Sequence, residues 1–234
     1  MRPSRPDPMT TARASWILLA AGSSTRFGRT GENPARSKLL ESLGADRVID
    51  VTLRALKNAL PGARIILVST PELRDEIGME CAWVNGGQRR QDSARHGILA
   101  ARETDIALIH DAARPFVTRE IVDRLREALR ENDAAAPGIP VTDTIRRSNS
   151  GEFETLDRST LLAMQTPQAV WMDVAAPAFE ASTGPEEFTD DLAVIAAFGG
   201  RIAVTRGDKS NMKITTREDL LHAERILENL NPKS

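Results

Sequence analysis

Ile106-Ala107-Leu108-Ile109-His110-Asp111-Ala112-Ala113-Arg114-Pro115 decides how the rest of the chain is read. Four apolar residues make a strand-like run, and an aspartate arrives at its C-terminal end. An arginine follows three residues later, and Pro115 stops the run from continuing as it was. In open α/β sheets, ligands bind just past such strand ends. An acid and a base placed together there suit a metal ion and a polyanion, the pair that a nucleoside triphosphate brings. Taken alone, the segment serves equally well as a structural salt bridge.

Working outward, short apolar runs alternate with segments of helical period. Trp16-Ile17-Leu18-Leu19, Ile65-Ile66-Leu67-Val68 and Ile202-Ala203-Val204 read as further buried strands. Ile49, Leu53, Leu56 and Leu60 fall at helical spacing, as do Ile121, Leu125 and Leu129. A last helix is marked by Leu220, Ala223, Leu227 and Leu230, with Thr215 and Glu218 as a capping box. This alternation predicts an α/β fold with a mainly parallel sheet and helices on both faces. No repeat or linker divides it, so 14–234 is expected to be a single domain.

One stretch breaks the rhythm. Residues 142–160 hold two alternating segments around Ser148-Asn149-Ser150-Gly151, which predicts a β-hairpin. With few core-forming residues, it is expected to project as a partner-binding arm or to be an ordinary exposed loop. Residues 1–13 are rich in proline, arginine and small polar residues and are expected to be a disordered leader, with Met9 as an alternative start.

Composition excludes several classes. Of 234 residues 41% are apolar, enough for a substantial core, and 31 basic residues nearly balance 33 acidic ones. That balance gives no reason to expect a nucleic-acid or membrane surface, and a small anionic ligand needs only a local basic cluster. The lone Cys81 rules out an internal disulfide or a cysteine-based zinc site, and three histidines make no His-rich cluster. No stretch has the apolar length of a membrane span. The expected location is the cytoplasm.

The first strand runs into Ala20-Ala21-Gly22-Ser23-Ser24-Thr25-Arg26-Phe27-Gly28, with Lys38 shortly beyond. Small residues after a strand let backbone N–H groups approach phosphate oxygens, and two cations then sit beside one triphosphate. Neither a P-loop nor a dinucleotide G-x-G-x-x-G is present, which argues against a nicotinamide-dependent dehydrogenase. Asn85-Gly86-Gly87-Gln88-Arg89-Arg90-Gln91-Asp92-Ser93 leads into a helical stretch over 94–101. Its Gly-Gly pair lets main chain lie against a flat base beside the Ser93 hydroxyl, or is only a turn before a polar helix start. Gln165-Thr166-Pro167-Gln168 is a polar knot between apolar runs, and Phe188-Thr189-Asp190-Asp191 opens a helical segment. Near the end, Asp208-Lys209-Ser210-Asn211-Met212-Lys213-Ile214 places Lys213 in a short strand-like stretch, where an edge lysine usually faces solvent.

Taken in order, these segments resemble the 2-C-methyl-D-erythritol 4-phosphate cytidylyltransferase family, from about Trp16 to Leu230. The Ala-Ala-Gly loop with its arginine, the Gly-Gly…Ser patch, His110–Pro115, Val141-Thr142-Asp143-Thr144, Thr166-Pro167-Gln168 and the Ser210-Asn211…Lys213 ending carry the likeness. Departures are Ser-Ser-Thr in the first loop where relatives often carry a second glycine, Ser37 before Lys38, Leu-Leu after it, and Gln88 at a commonly acidic position.

The resemblance implies a Rossmann-like nucleotidyltransferase fold that joins CTP to methylerythritol phosphate and releases pyrophosphate. It implies Arg26 and Lys38 as stabilisers of transition-state charge, and Arg158 and Lys213 as holders of the acceptor phosphate. Ala20, Ala21, Gly22, Gly87 and Ser93 match positions around the nucleotide. Asp111 and Arg114 match a pair near ribose, metal and acceptor, and Thr144, Thr166 and Thr189 line the acceptor pocket. Mg²⁺ is implied, held mainly by CTP phosphates with Asp111 as its protein contact. The 142–160 arm is implied to cross to a second subunit, making a homodimer that shares Arg158. Ribitol 5-phosphate as the acceptor and a CTP-binding module without turnover are the alternative readings.

Overall fold

Strand β1 (Ala14–Leu19) is buried on both sides. Trp16 and Leu18 point into one core and Ile17 into another, each with no exposed surface. An apolar strand without alternation must have cover on both faces, and this sets the layering of the molecule. The structure, a computed structural model, describes residues 4–22, 37–78 and 81–230.

After β1 come a two-residue ladder of β2 (Ser42–Leu43) and β3 (Asp46–Arg47), then α1 (Val48–Ala59), β4 (Arg64–Ser69), α2 (Pro71–Ile77) and β5 (Ala82–Asn85). The middle of the chain forms α3 (Arg90–Ala100), β6 (Ile106–Asp111), α4 (Arg119–Ala128) and β7 (Ala134–Pro140). A hairpin of β8 (Arg146–Asn149) and β9 (Glu152–Thr155) follows, then β10 (Leu162–Met164) and β11 (Gln168–Trp171). The chain closes with α5 (Met172–Ala181), α6 (Asp191–Ala197), β12 (Ile202–Arg206) and α7 (Arg217–Leu230).

Across the sheet the order is β5, β4, β1, β6, β11, β7, with β10 and β12 also paired to β7. Pairs β5–β4, β4–β1, β1–β6 and β7–β12 are parallel; β11 and β10 run antiparallel to their neighbours. The expected mainly parallel sheet is therefore present. One core packs α1, α2, α4 and α7 against Trp16, Leu18 and Leu108; the other packs α3, α5 and α6 against Ile17, Ile66 and Ile109. Helices cover both faces. Among the described residues no helix is long and apolar enough to cross a membrane.

Local chemistry fixes the ends. Thr70 accepts from Leu73 N–H to cap α2, and Asp190 accepts from Ala193 N–H to cap α6. The start of α7 differs by one residue from the expected Thr215/Glu218 box: Asp219 accepts from Thr216 N–H, and Thr216 Oγ1 accepts from Asp219 N–H. The shift matters little to the helix, because either carboxylate satisfies the free amides of the first turn. The hairpin lies where expected, and every residue of its two strands is exposed.

Residues 4–13, expected to be a disordered leader, instead pack on the body. Arg5 reaches the fully buried Asp133 at 3.0 Å, pairs with Asp173 through two nitrogens, and lies 5.1 Å from the Trp171 ring. Arg126 donates to Pro8 O at 2.6 Å, and Pro8 is buried. The physical reason is Asp133: a carboxylate with no exposed surface needs a cation, and the leader supplies it. Removing the guanidinium takes this cation from a buried carboxylate that keeps hydrogen bonds such as the one from Arg201 N–H. Arg5→Ala is expected to lower stability by about 3 kcal/mol, and urea unfolding of the two proteins checks it.

Candidate active site

A cleft of about 400 Å³ opens beyond the C-terminal ends of β1 and β6, where parallel sheets of this kind receive ligands. Its first wall is Ala20, Ala21 and Gly22, the turn that follows β1. Ala20 N–H still donates to Val68 O at 2.8 Å, so the strand releases the chain only after that residue. The facing wall is Gly87, Arg90 and Ser93 at the start of α3. These two walls touch: a Cβ on Gly86 would lie 2.2 Å from Ala21 Cβ. One on Gly87 would lie 2.3 Å from Asp92 Cβ. Gly86 is thus required by the close approach of two loops and Gly87 by the tight turn into α3, where Ser93 Oγ accepts from Gly87 N–H at 3.0 Å.

Charge concentrates on the floor. Asp111 ends β6 with a side chain only 12% exposed. Lys213 Nζ donates to its Oδ2 at 2.7 Å, and Arg90 stands 3.5 Å from its Oδ1. Burial by itself would raise this carboxyl, but Arg90 and Lys213, with Arg114 behind them, hold it well below the usual aspartate range. Lys38, on the first residue of a short 3-10 turn capped by Ser37, completes the described basic lining with Arg89. Asp111 is the one carboxylate among the described lining residues. Among the described residues no group of three His, Cys, Asp or Glu is placed to hold a metal ion.

A directed hydrogen-bond chain sets Asp111 in place. His110 has no exposed surface, and Nε2 lies 2.9 Å from Arg114 O. A carbonyl only accepts, so the ring proton sits on Nε2, and Nδ1 accepts from Thr166 Oγ1 at 3.1 Å. Thr166 Oγ1 in turn accepts from Asp111 N–H at 3.0 Å. Burial pushes the His110 imidazole down to about 4, which keeps it neutral and the chain of bonds one-directional.

Buried amides fasten the remaining loops. Gln165 binds Asp208 through both ends of its amide and also donates to Asn211 O. Asn211 Nδ2 donates to Thr166 O, and Ile214 N–H donates to Ala113 O. These bonds bring Lys213 to Asp111. The stretch around it is a pinned loop, not the expected strand. Gln168 Oε1 accepts from Asp191 N–H and Leu192 N–H, which seats the start of α6. Asp191 then takes Arg90 at 2.8 and 3.0 Å.

Of the expected site residues, Ala20, Ala21, Gly22, Lys38, Gly87, Ser93, Asp111 and Lys213 converge on this cleft. Arg26 lies outside the described residues. Thr166 does not line the cleft; its hydroxyl is spent on Asp111 N–H and His110. Arg114 is also absent from the lining, because its guanidinium turns back to donate to Asn211 O at 2.8 Å. Thr144 and Thr189 are exposed and outside the lining, as is Arg158, which donates to Thr142 O at 2.8 Å at the base of the arm. Sequence reasoning missed Arg90, Asp191 and Thr215. Arg90 sat inside a quoted segment, yet nothing in one sequence tells it from Arg89. For Asp191 there was a signal: one aspartate caps a helix, and the second of an Asp-Asp pair still needs a partner.

Compared with known proteins, residues 15–229 match the family model described as 2-C-methyl-D-erythritol 4-phosphate cytidylyltransferase. A relative of that name from Bacillus licheniformis is 37% identical, over 91% of this chain and 94% of its own. Another from Rubrobacter xylanophilus is 38% identical, over 90% and 93%. The crystal structure of the enzyme so named from Thermus thermophilus superposes with a TM-score of 0.76 at 27% identity, covering 91% of this chain and 98% of that one.

His110 gives the site a pH signature. The unfolded chain takes up the imidazole proton near pH 6.5 and the folded chain only near pH 4. Stability therefore falls as pH drops through that interval, approaching a loss of about 3 kcal/mol at its lower end. His110→Gln keeps a donor for Arg114 O but has no such proton to gain. Its unfolding free energy, measured in urea from pH 7 to pH 4, is expected to fall less steeply than that of the parent.

Proposed function

The chain belongs to the 2-C-methyl-D-erythritol 4-phosphate cytidylyltransferase family, and from this premise we propose how its cleft works. The enzyme is a nucleotidyltransferase that joins CTP to 2-C-methyl-D-erythritol 4-phosphate and releases pyrophosphate, a step of isoprenoid synthesis. A phosphate oxygen of the acceptor attacks the α-phosphorus of CTP, a P–O bond forms, and the bond to the β-phosphate oxygen breaks. The nucleophile is already an anion, so the protein needs neither a general base nor a covalent intermediate. Its task is positioning and neutralisation of charge.

The observation that carries this reading is the convergence of Lys38 and Lys213, with Asp111, on one cleft beyond the β1 and β6 ends. Ala20, Ala21 and Gly22 present backbone to the triphosphate, and Gly87 and Ser93 face the base. Lys38, with Arg26, neutralises the reacting phosphoryl group, and Lys213 receives the acceptor phosphate. The acceptor named for the relatives favours methylerythritol phosphate over ribitol 5-phosphate.

A divalent cation fits the site in one way only. One lining carboxylate, with no cluster of three ligands among the described residues, suits Mg²⁺ that is held chiefly by phosphate oxygens, with Asp111 as its protein contact. Bound there, it would offset negative charge on the triphosphate.

The acceptor side is completed by a second copy. Arg158 and Thr144 flank an arm whose strands are wholly exposed, and Phe153 on it is 68% exposed. An isolated two-stranded hairpin is marginal in water. A partner surface supplies the missing cover, and Arg158 then enters the partner's cleft. With Thr189, these residues are assigned to the acceptor pocket of that dimer.

Pyrophosphate release from CTP with methylerythritol phosphate tests the activity; a preference for ribitol 5-phosphate, or CTP binding without release, overturns it. Lys38→Ala is expected to lower kcat on the order of a hundredfold, while Lys213→Ala and Arg158→Ala chiefly raise the acceptor KM. At acceptor concentrations below the raised KM, neither Arg26→Ala nor Arg158→Ala dimers should turn over well. Verified heterodimers of the two are expected to regain one intact site, and absence of recovery argues against a shared site.

A further inference from the structure

Lys213 has two claims on it. In the structure it is bonded to Asp111 at 2.7 Å, and the proposed reaction asks it to bind the acceptor phosphate. A lysine that turns to a phosphate loosens its hold on Asp111, a carboxylate almost without exposed surface. A buried carboxylate that gives up its closest cation is disfavoured unless another closes in; a phosphate-held Mg²⁺ touching Asp111 would offset part of that loss, and a protein cation at the other oxygen the rest.

Arg90 is built to relieve this conflict. NH1 and NH2 grip Asp191 at 3.0 and 2.8 Å, a two-pronged contact that fixes the plane of the guanidinium. Nε and NH2 then face Asp111 Oδ1, both at 3.5 Å. That separation is at the outer limit of a hydrogen bond and has room to close. The two cations approach different oxygens of Asp111, so one can tighten as the other leaves. The backbone that carries Arg90 is fastened as well. It occupies the first turn of α3, where Arg89 donates to Gly184 O and Glu186 O and Gln91 to Glu186 O. Its partner Asp191 is seated by the Gln168 amide.

We propose that Arg90 is a positioning residue that takes over Asp111 when Lys213 moves to the acceptor phosphate. Asp191 is the anchor that makes this possible: it holds the guanidinium beside Asp111 while the lysine exchanges partners. The inference rests on the reading of Lys213 as the acceptor's ligand.

The test uses Arg90→Gln together with Asp191→Asn, which removes both members of the buried pair and strands neither, with Arg90→Lys as a second variant. Thermal melts establish that each is folded. In the double variant the acceptor KM is expected to rise roughly tenfold or more, while the CTP KM stays within about twofold. Arg90→Lys, with a point charge unable to serve two carboxylates, is expected to fall between. When Asp111→Asn is introduced into both backgrounds, the added loss from the Arg90 and Asp191 changes should largely disappear, since no carboxylate remains to be handed over. An acceptor KM unchanged at saturating Mg²⁺ overturns the proposal, as it would mean that Arg90 is not what frees Lys213. An equal loss with and without Asp111→Asn also overturns it. Lys213→Ala is the separate control. If it leaves the acceptor KM unmoved, the reading of Lys213 fails and the proposal with it. If it raises that KM while the Arg90 variants do not, the inference alone fails.

Discussion

A carboxylate at the end of a buried central strand is the constraint on which the site depends. Asp111 sits where β6 leaves the sheet, beside the end of β1, and its side chain is nearly lost to solvent. Such a charge persists only with cations around it. The fold supplies them from far apart in sequence: Arg90 from the first turn of α3, Lys213 from the loop before α7, and Arg114 from the turn behind. Once Asp111 is fixed as an anion, the floor of the cleft is basic on balance, and an anionic ligand meets cations on both sides of one acid.

The second requirement is that loops carrying those cations keep their places without secondary structure. Buried side-chain amides and hydroxyls do this by standing in for strand bonds. Gln165, Gln168 and Asn211 are all less than 5% exposed, and each bonds the main chain of a distant loop. Each such bond contributes only about 1 kcal/mol net, yet leaving one partner alone in the interior costs more. The asymmetry explains why the polar knot at 165–168 lies between apolar runs. Gln91 works the same way across α3 and the 186–188 segment, donating to Glu186 O and accepting from Phe188 N–H.

Most of the frame was legible because burial on both faces leaves a plain mark: β1, β4 and β6 are continuous apolar runs. The helices α1 and α4 show their buried stripe at helical spacing. Strand β7 was not legible, since Ala134-Ala135-Ala136-Pro137-Gly138 has poor strand propensity. Small residues are what its crowded position requires, as a Cβ on Gly138 would lie 2.8 Å from Val204. Neighbours chosen by the tertiary fold outweigh local preference there. The leader misled for a similar reason. Its composition fits a flexible tail, and what docks it lies far along the chain: the buried Asp133, with Asp173 and Trp171, for Arg5, and Arg126 for Pro8 O. Within the site, motif order located the cleft segments but not the side-chain roles. Thr166 belongs to the motif yet points at a backbone amide and a histidine. Which atom of a motif faces a ligand depends on the turn geometry around it, and one sequence does not carry that.

The distribution of the expected residues follows from the same geometry. Those next to the ends of β1, α3 and β6 meet in a single chain, because parallel strands deliver their ends to one edge. Arg158 and Thr144 belong instead to the excursion between β7 and β10, which leaves the sheet through an exposed hairpin. The two strands of that arm bury nothing against this chain. In the proposed dimer a second copy would supply the surface they lack, and Phe153 is the large apolar side chain that the arm leaves exposed. On that view the nucleotide half of the site, with Lys213, is formed within one chain, whereas the acceptor half is completed only on assembly. Dimerisation and acceptor recognition are then one event in structural terms, which gives selection a direct reason to keep an exposed and otherwise unsupported hairpin.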